Sequence, residues 1–148
     1  MASFVLNTAR GRIVEKVLDG ADLIVIPMAA IEADATVRDY ATIDLQTVLA
    51  LAGNTEQTGS TWSRKVHPNA AITVTPEHGS DRSVVFFDAD DIWTAPVAGN
   101  DTVALLICED GASDALRTVL IKMDFFVTTD GTNVKAAYDP TDGIWYSN

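Results

Sequence analysis

The sequence has almost no cysteine, and this limits the chemistry of the fold. A single cysteine allows no internal disulfide and no cysteine-based zinc site. The residue, Cys108, ends an apolar run at 103–107. A reactive thiol needs an exposed, electropositive environment, so this position favours a small buried apolar residue over a nucleophile.

Basic residues are also scarce. Ten lysines and arginines stand against 21 aspartates and glutamates, which gives a formal net charge of −11. Phosphate contacts require a basic surface, so this balance disfavours a nucleic-acid partner. The acidity suits solubility, or a protein partner that carries basic patches.

Long apolar segments are missing as well. No run reaches the length of a membrane span, and the first residues, MASFVLNTARGRI, contain no apolar stretch of signal-peptide length. We therefore expect a protein without a membrane partner. It would be made in a cytoplasm and stay soluble or join an assembly there.

The residues that are present indicate one folded domain. A chain of 148 residues can bury a core without disulfide or metal support, and its hydrophobic fraction of 47% is too high for a disordered chain. The sequence shows no repeat, low-complexity tract or linker. We expect residues 1–148 to form a single β-rich domain.

Short segments rich in β-branched and aromatic residues dominate the chain after residue 61: WSRKV, AITVTPE, SVVFFDA, TVALLICED, LRTVLIKMDFFVTTD and NVKAAYD. The earlier apolar run at 23–28 predicts a strand buried on both faces, with Pro27 near its end or on an edge. The pattern predicts a mainly β fold, an antiparallel β-sandwich or barrel of about six to eight short strands with one helix near residues 43–52.

The helix at 43–52 is predicted from the spacing of its apolar residues. Asp44 or Thr42 can cap its start, and Gly53 with Asn54 supplies a stop. A second apolar pattern at 13–18 fits a short helix and a strand equally well.

Two features of the C-terminal third complete the strand map. Asp130 and Gly131 lie between FFVTT and TNVKAAY and predict a two-residue type I′ hairpin turn. The residues Ile144, Trp145 and Tyr146 predict a last short strand that returns to the body of the protein.

Three carboxylates, Asp88, Asp90 and Asp91, interrupt the apolar segment SVVFFDADDIW. An EF-hand calcium loop needs a central glycine and a final glutamate, and the sequence has neither at the required positions. A less regular metal site remains an alternative. We favour acids on the solvent face or at a turn, with Ile92 and Trp93 re-entering the core.

Catalytic motifs are absent from the sequence. The two histidines, His67 and His78, are flanked by turn-forming residues and are predicted to lie in loops. A hydrolase that pairs His67 or His78 with an acid, such as Glu77 or Asp81, is an alternative. There is no G-x-S-x-G elbow, HExxH or glycine-rich phosphate loop. We therefore expect no enzyme activity, catalytic residue, bound metal or cofactor.

Few side chains suggest a binding surface. Arg64 and Lys65, like Arg10 and Arg12, are predicted to be salt-bridge partners within the fold or across a subunit contact. The aromatic residues form either a stacking platform for a carbohydrate or part of an ordinary core, and the core interpretation is favoured. They are Trp62, Trp93, Trp145 and Tyr146.

Several segments, in this order, resemble a family of small structural proteins of tailed bacteriophages: NTARGRIVEKV, ADLIVIPM, EADATVRDYATIDLQTVLALAGNTE, WSRKV, DDIWTAPVAGN, LLICED and DFFVTTDGTNVKA. The resemblance spans residues 4 to 146. It implies a virion component, a capsid decoration, minor capsid or head–neck protein, with a minor tail protein as the alternative. The implied partners are copies of itself and other virion proteins such as major capsid or neck proteins.

Overall fold

The computed structural model describes residues 4–5, 13–38, 44–77, 82–141 and 143–147. The described part is mainly β, with antiparallel sheets, as the sequence predicts. It contains eleven strands: β1 (Phe4–Val5), β2 (Leu23–Ala30), β3 (Thr55–Glu56), β4 (Lys65–His67), β5 (Ile72–Glu77), β6 (Arg82–Phe87), β7 (Asp91–Trp93), β8 (Thr102–Glu109), β9 (Thr118–Val127), β10 (Val134–Ala136) and β11 (Trp145–Ser147). The number exceeds the expected six to eight because several strands have only two or three residues.

The largest sheet has the strand order β1-β9-β8-β2-β3, with β4 also paired to β2. Its centre is the pair formed by β2 and β8, in register from Leu23 opposite Glu109 to Met28 opposite Ala104. The first six residues of β2 are all buried, which confirms the predicted strand at 23–28. Cys108 lies in β8 and is buried, also as predicted.

Pro27 is neither at the end of its strand nor on a sheet edge, so that part of the expectation is wrong. Its carbonyl oxygen accepts a hydrogen bond from the Gln57 N–H, so its backbone polar groups face the side of β3 and β4. On that side, β4 pairs only with residues as far as Val25, and β3 begins to pair at Met28. The missing N–H of the proline therefore falls in a gap between two partner strands, where no ladder bond is lost.

The described residues of the N-terminal third form three short α-helices: α1 (Ile13–Leu18), α2 (Asp34–Arg38) and α3 (Leu45–Ala50). Helix α1 resolves the ambiguous pattern at 13–18. Helix α2 was not predicted, and one of its anchors is the Lys122 ammonium group of β9, which lies 3.2 Å from an Asp34 carboxylate oxygen.

Helix α3 confirms the predicted helix in a shorter form. Its cap is Asp44, whose carboxylate accepts a hydrogen bond from the Thr47 N–H at 2.9 Å. The helix ends at Ala50, two residues before the predicted end. The predicted first residue, Ile43, and the alternative cap, Thr42, lie outside the described residues.

Two smaller sheets complete the fold, one with the order β11-β6-β5 and one formed by β10 and β7. Their buried side chains join those of the large sheet in one hydrophobic cluster, which includes Val25 of β2, Phe87 of β6 and Trp93 of β7. Strand β11 confirms the predicted return of the C-terminal segment. No described helix has both the length and the apolar character needed to span a bilayer.

The predicted hairpin at Asp130 and Gly131 is wrong. Strand β9 pairs with β8 and β1, whereas β10 pairs with β7, so the strands before and after the turn are not neighbours. Gly131 has a positive φ of 87°, but Asp130 is not among the described non-glycine residues with positive φ, which a type I′ turn requires. The Asp130 carboxylate instead accepts a hydrogen bond from the Thr132 N–H at 2.9 Å, in an Asx-type turn.

Candidate functional site

The three carboxylates at 88–91 have different environments. Asp88 and Asp90 are exposed at the bend between β6 and β7, as the sequence analysis favours. Asp91 begins β7 and is only 6% exposed, so its expected place on the solvent face is wrong. Alternation along β7 turns Asp91 and Trp93 inward and leaves Ile92 50% exposed, which corrects its expected place in the core.

Asp91 accepts hydrogen bonds inside the protein from two other elements. Its Oδ2 atom lies 3.1 Å from Nε2 of His67 and 2.6 Å from the hydroxyl of Tyr138. His67 is the last residue of β4 and is 5% exposed, so the prediction that it lies in a loop is wrong. The three residues form a polar cluster, the Asp91 triad, between the large sheet and the β7–β10 sheet, in which His67 and Asp91 are buried and Tyr138 is half-buried.

The two rings of the Asp91 triad pack with the ring of Phe87. The His67 and Phe87 rings are stacked, with centroids 3.7 Å apart and planes 4° from parallel, and Tyr138 meets both rings edge-on. Burial and the neighbouring Asp91 carboxylate raise the pKa of Tyr138 far above its ordinary value. The phenol therefore stays protonated and donates its hydrogen to Asp91.

The chemistry of the Asp91 triad is limited by what surrounds His67. A His–Asp pair can serve as a general base only if a nucleophile or substrate reaches the imidazole. In the described part of the chain, no hydrogen bond links His67 to a serine, threonine or cysteine. The other histidine, His78, and its possible partner Asp81 lie outside the described residues.

A cleft of about 510 Å³ opens beside the Asp91 triad, between the β6–β7 bend and the segment after β10. Tyr138 of the triad and Phe87, which packs on it, also line this acidic cleft. The complete lining is Phe86, Phe87, Asp88, Ala89, Asp90, Ala137, Tyr138, Asp139 and Pro140.

Each carboxylate of the acidic cleft also accepts a hydrogen bond from within the protein. Asp88 accepts one from the Thr73 hydroxyl at 2.9 Å, and Asp139 accepts one from the Thr141 N–H at 2.6 Å. Asp90 lies 2.7 Å from the Lys135 ammonium group and also accepts a bond from the Tyr138 N–H. The Lys135 interaction and then the Tyr138 bond lower the pKa of Asp90, so it stays ionised.

The structure offers no grouped metal ligands at this place. Within the described ranges, there is no group of three or more His, Cys, Asp or Glu side chains that could hold a metal ion. Asp91 faces the interior, whereas Asp88 and Asp90 face the cleft, so the three carboxylates do not converge on one point. Their dispensability for metal stays a prediction.

Arg64 is a salt-bridge partner within the fold, as predicted. Its guanidinium group contacts Glu56 at 2.7 Å and Asp114 at 2.6 Å, and Arg117 joins Asp114 to Asp110. The Arg64 hydrogen bond is the main cause that lowers the pKa of Asp114 to about 2. Arg10 and Arg12 lie outside the described residues.

Trp62 and Trp93 belong to the core, so neither ring is available to stack on a carbohydrate. Trp62 and Trp93 are 5% and 1% exposed, and their ring centroids are 4.8 Å apart. Lys65 lies over Trp93, with its Nζ atom 5.5 Å from the ring centroid. The side chains of Trp145 and Tyr146 are outside the described part.

Three loops meet at one place that the sequence did not reveal, and we name residues 57–62, 94–101 and 128–133 the loop cluster. Its backbone includes Ser60 at φ 58° and Ala95 at φ 43°, the described non-glycine residues with positive φ. The Val97 N–H donates to Ser60 Oγ at 2.9 Å, and the Ala95 N–H donates to Asn133 Oδ1 at 3.0 Å. These bonds join residues nearly forty positions apart, so no local pattern predicts them.

Thr129 lies at the centre of the loop cluster and is 4% exposed. Its hydroxyl donates to the Val97 carbonyl at 2.9 Å, and its N–H donates to an Asp101 carboxylate oxygen at 2.8 Å. Gln57 donates to the Asp101 carbonyl from the third loop. The loops therefore hold one another in place, while the Val97 side chain stays 62% exposed on their surface.

No protein-family model, curated protein or solved structure matches this chain.

Proposed function

We propose that the protein is a structural component of a tailed-phage virion, a capsid decoration, minor capsid or head–neck protein that oligomerises and binds the particle. The ordered resemblance along residues 4 to 146 supports this role. The structural observation that carries it is the loop cluster, a surface joined by cross-loop hydrogen bonds that presents the exposed side chain of Val97.

The conformation of the loop cluster is costly. A non-glycine residue in the left-handed region costs about 1 kcal/mol or more, and Ser60 and Ala95 both occupy it. Cross-loop hydrogen bonds to Val97, Thr129 and Asn133 offset this cost and fix one shape. A surface that is already ordered loses little conformational entropy on binding, which is what a repeated contact in an assembly needs.

The remaining polar clusters serve stability in this proposal. The Arg64 ion pairs join β3 to the connection between β8 and β9. The Asp91 triad joins β4 to the β7–β10 sheet, with its hydrogen bonds made within the protein. Neither cluster presents a nucleophile beside a base in the described residues, so a binding role suits this part of the chain better than a hydrolase.

The structure bears differently on the two alternative functions, a minor tail protein and a carbohydrate-binding module. A minor tail protein would use the same kind of rigid contact surface, and only its position in the particle would differ. A carbohydrate-binding module loses two residues of its expected platform, because Trp62 and Trp93 are buried and cannot stack on a sugar.

Reconstitution tests the proposal. Particles assembled without the protein are mixed with the purified chain and sedimented. We expect the chain to sediment with the particles and Val97→Asp to abolish this binding. The matched control is Val66→Asp, at a valine of β4 that is 52% exposed. If Val97→Asp binds the particles as well as the unmodified chain does, the loop cluster is not the contact surface.

The oligomeric state gives a second test. Virion subunits usually close into symmetric rings or cover a repeating lattice. Light scattering that finds a strict monomer, together with failure to bind particles, would contradict the proposed role.

A further inference from the structure

We propose that the peptide bond between Asp19 and Gly20, at the end of α1, is a site of spontaneous isoaspartate formation. This modification is a chemical ageing of the chain and does not depend on the proposed function. Four Asp–Gly pairs occur in the sequence, and they are Asp19–Gly20, Asp110–Gly111, Asp130–Gly131 and Asp142–Gly143. Asp142 lies outside the described residues, so the structure shows the surroundings of the first three carboxylates.

The reaction needs only the chain and water. The backbone nitrogen of Gly20 attacks the side-chain carboxyl carbon of Asp19 and loses its proton, while one carboxyl oxygen leaves as water, so a five-membered succinimide forms. A water molecule then opens the ring at either carbonyl carbon. Opening at the main-chain carbonyl breaks the original peptide bond and leaves the chain running through the former side chain. The mass is unchanged, and the main chain becomes one carbon longer. Glycine favours the attack because it has no side chain to restrict the backbone.

The Asp19 carboxylate is not held by the fold. The residue is exposed, and within the described part of the chain its side chain makes no hydrogen bond or ion pair. Its backbone is held by short-range bonds, since the Asp19 N–H donates to the Glu15 carbonyl at 2.9 Å and the Gly20 N–H donates to the Val17 carbonyl at 3.1 Å. A helix of six residues is marginal and its last turn frays, so these bonds open without any separation of strands.

The Asp130 carboxylate, in contrast, is held by its neighbours. It accepts hydrogen bonds from the hydroxyl of Thr132 at 2.6 Å and from the Thr132 N–H at 2.9 Å. The hydroxyl bond and then the N–H bond lower the pKa of Asp130, and an ionised carboxylate resists attack because its oxygen cannot leave as water. The Gly131 N–H donates to the Pro96 carbonyl at 3.1 Å, in another loop of the loop cluster. Both reacting groups are therefore engaged.

The Asp110 carboxylate is held as well. Its Oδ1 atom accepts hydrogen bonds from Nε of Arg117 at 2.8 Å and from the Gly111 N–H at 2.8 Å. The second bond points the hydrogen of the attacking nitrogen, and not its lone pair, at the carboxyl group. The guanidinium group fixes this orientation from the other side. Among the three described pairs, Asp19–Gly20 thus has the unengaged carboxylate.

Isomerisation at Asp19 is expected to loosen the attachment of α1. The side chain of Asn69 donates to the Val17 carbonyl at 2.7 Å and to the Ala21 carbonyl at 3.1 Å, and its N–H donates to an Asp22 carboxylate oxygen at 2.7 Å. These bonds span the modified position. An additional main-chain carbon changes the distance between the two carbonyl groups, so one amide cannot keep both bonds.

The first experiment incubates the purified full chain at neutral pH and physiological temperature and maps isoaspartate by mass spectrometry with electron-transfer fragmentation. We expect at least about tenfold more isoaspartate at Asp19 than at Asp110 or Asp130, as for a site that opens locally beside sites held by more distant contacts. A parallel sample in concentrated guanidinium chloride is the control. There the three sites are expected to react at similar rates, since glycine follows each of them.

Three results would overturn the proposal. The first is the absence of isoaspartate at Asp19 in the folded chain. The second is an equal or larger amount at Asp110 or Asp130. The third is a preference for Asp19 that persists in guanidinium chloride, because the preference would then come from the local sequence and not from the fold.

Variants test the two sides of the comparison. Asp19→Glu keeps the charge but would need a six-membered ring, so we expect it to abolish isoaspartate at this position and to leave Asp110 and Asp130 unchanged. Thr132→Val removes the hydroxyl donor of Asp130 at an exposed position. We expect it to raise isoaspartate at Asp130 about fivefold, the factor that the loss of one hydrogen bond corresponds to. No increase in this variant would overturn the protection of Asp130.

The second experiment measures hydrogen exchange in fresh and aged protein, with aged Asp19→Glu as the matched control. We expect faster exchange of the amides of α1 and of Asn69 in the aged unmodified sequence, and no change in aged Asp19→Glu. Exchange that stays the same although isoaspartate has formed at Asp19 would overturn the loosening of α1. Equal acceleration in both aged proteins would overturn Asp19 as its cause.

Discussion

The hydroxyl of Tyr138 donates a hydrogen bond to Oδ2 of Asp91, the same atom that lies 3.1 Å from His67 Nε2. One buried carboxylate oxygen thus connects the large sheet, through β4, with the segment that follows β10. The contact holds a wall of the acidic cleft and fixes how the smaller sheet lies on the larger one. Its removal is therefore expected to affect stability and cleft geometry together.

Tyr138→Phe tests this contact. The substitution leaves the aromatic ring in place and deprives the buried Asp91 of one of its two donors. We expect the free energy of unfolding to fall by about 1 to 3 kcal/mol, the usual cost of an unmet buried polar group. Urea denaturation followed by tryptophan fluorescence measures it, and Trp93 gives a reporter nearby.

The control is a double-mutant cycle with Asp91→Asn. If the two side chains interact as the structure shows, the combined loss is smaller than the sum of the single losses. Strictly additive effects would show that the hydroxyl and the carboxylate act independently.

Arg64→Met is expected to be more damaging than Lys65→Met. The first substitution removes the shared partner of Glu56 and Asp114 and leaves their carboxylates facing each other, at a cost of about 2 to 3 kcal/mol. The second removes only the contact over Trp93, at a cost of about 0.5 to 1 kcal/mol. Denaturation of both variants at neutral pH gives the comparison, and equal losses would contradict it.

The Arg64 effect should also depend on pH. The folded pKa of Asp114 is about 2, below its ordinary 3.8, so its ionised form stabilises the fold above about pH 4 and is lost as pH falls toward about 2. Arg64→Met removes the main cause of the lowered pKa. The stability gap between the two proteins should therefore narrow on acidification, and a constant gap would count against this ion pair.

Gly131→Val is expected to destabilise the protein even without a hairpin. Gly131 has φ 87°, and an added Cβ would meet no atom within 4 Å, so the cost comes from the backbone alone. We expect a loss of about 1 to 2 kcal/mol for Val and a much smaller loss for Asn, which tolerates the left-handed region. Thermal unfolding measures the stability of both variants, and equal stabilities would argue against the positive φ at Gly131.

Cys108 is expected to be unreactive in the folded protein. The side chain is fully buried in β8, and burial raises the pKa of its thiol far above the ordinary value. A thiol reagent such as DTNB should therefore label it only after denaturation. Rapid stoichiometric labelling of the native protein would show that the strand opens or that the thiol is accessible.

Local sequence patterns predicted the elements that depend on short-range features, such as β2 and α3. The apolar run of β2 needs both faces covered wherever it lies, and Asp44 caps α3 through a bond within one turn. The alternation of side chains in β7 also indicates which of its residues are buried. Trp93 was expected inside, and a period of two places Asp91 on the same face, so its burial could have been inferred from its neighbour.

Local sequence patterns could not predict which strands pair when they are far apart in the chain. The turn at Asp130 and Gly131 has the composition of a hairpin, but β10 pairs with β7, about forty residues away, instead of with β9. Tyr138 joins the Asp91 triad only because of that pairing. The loop cluster likewise depends on contacts between three distant loops, and no local pattern within any one of them indicates these contacts.

The most direct test of the proposed role is the composition of purified particles. The tailed phage or prophage whose genome encodes this chain is induced, and its particles are banded on a density gradient and analysed by quantitative mass spectrometry. We expect peptides of this chain in the particle band, at a constant ratio to the major capsid protein across its fractions. A chain found only in the soluble lysate, with particle fractions free of it, would contradict a structural role in the virion.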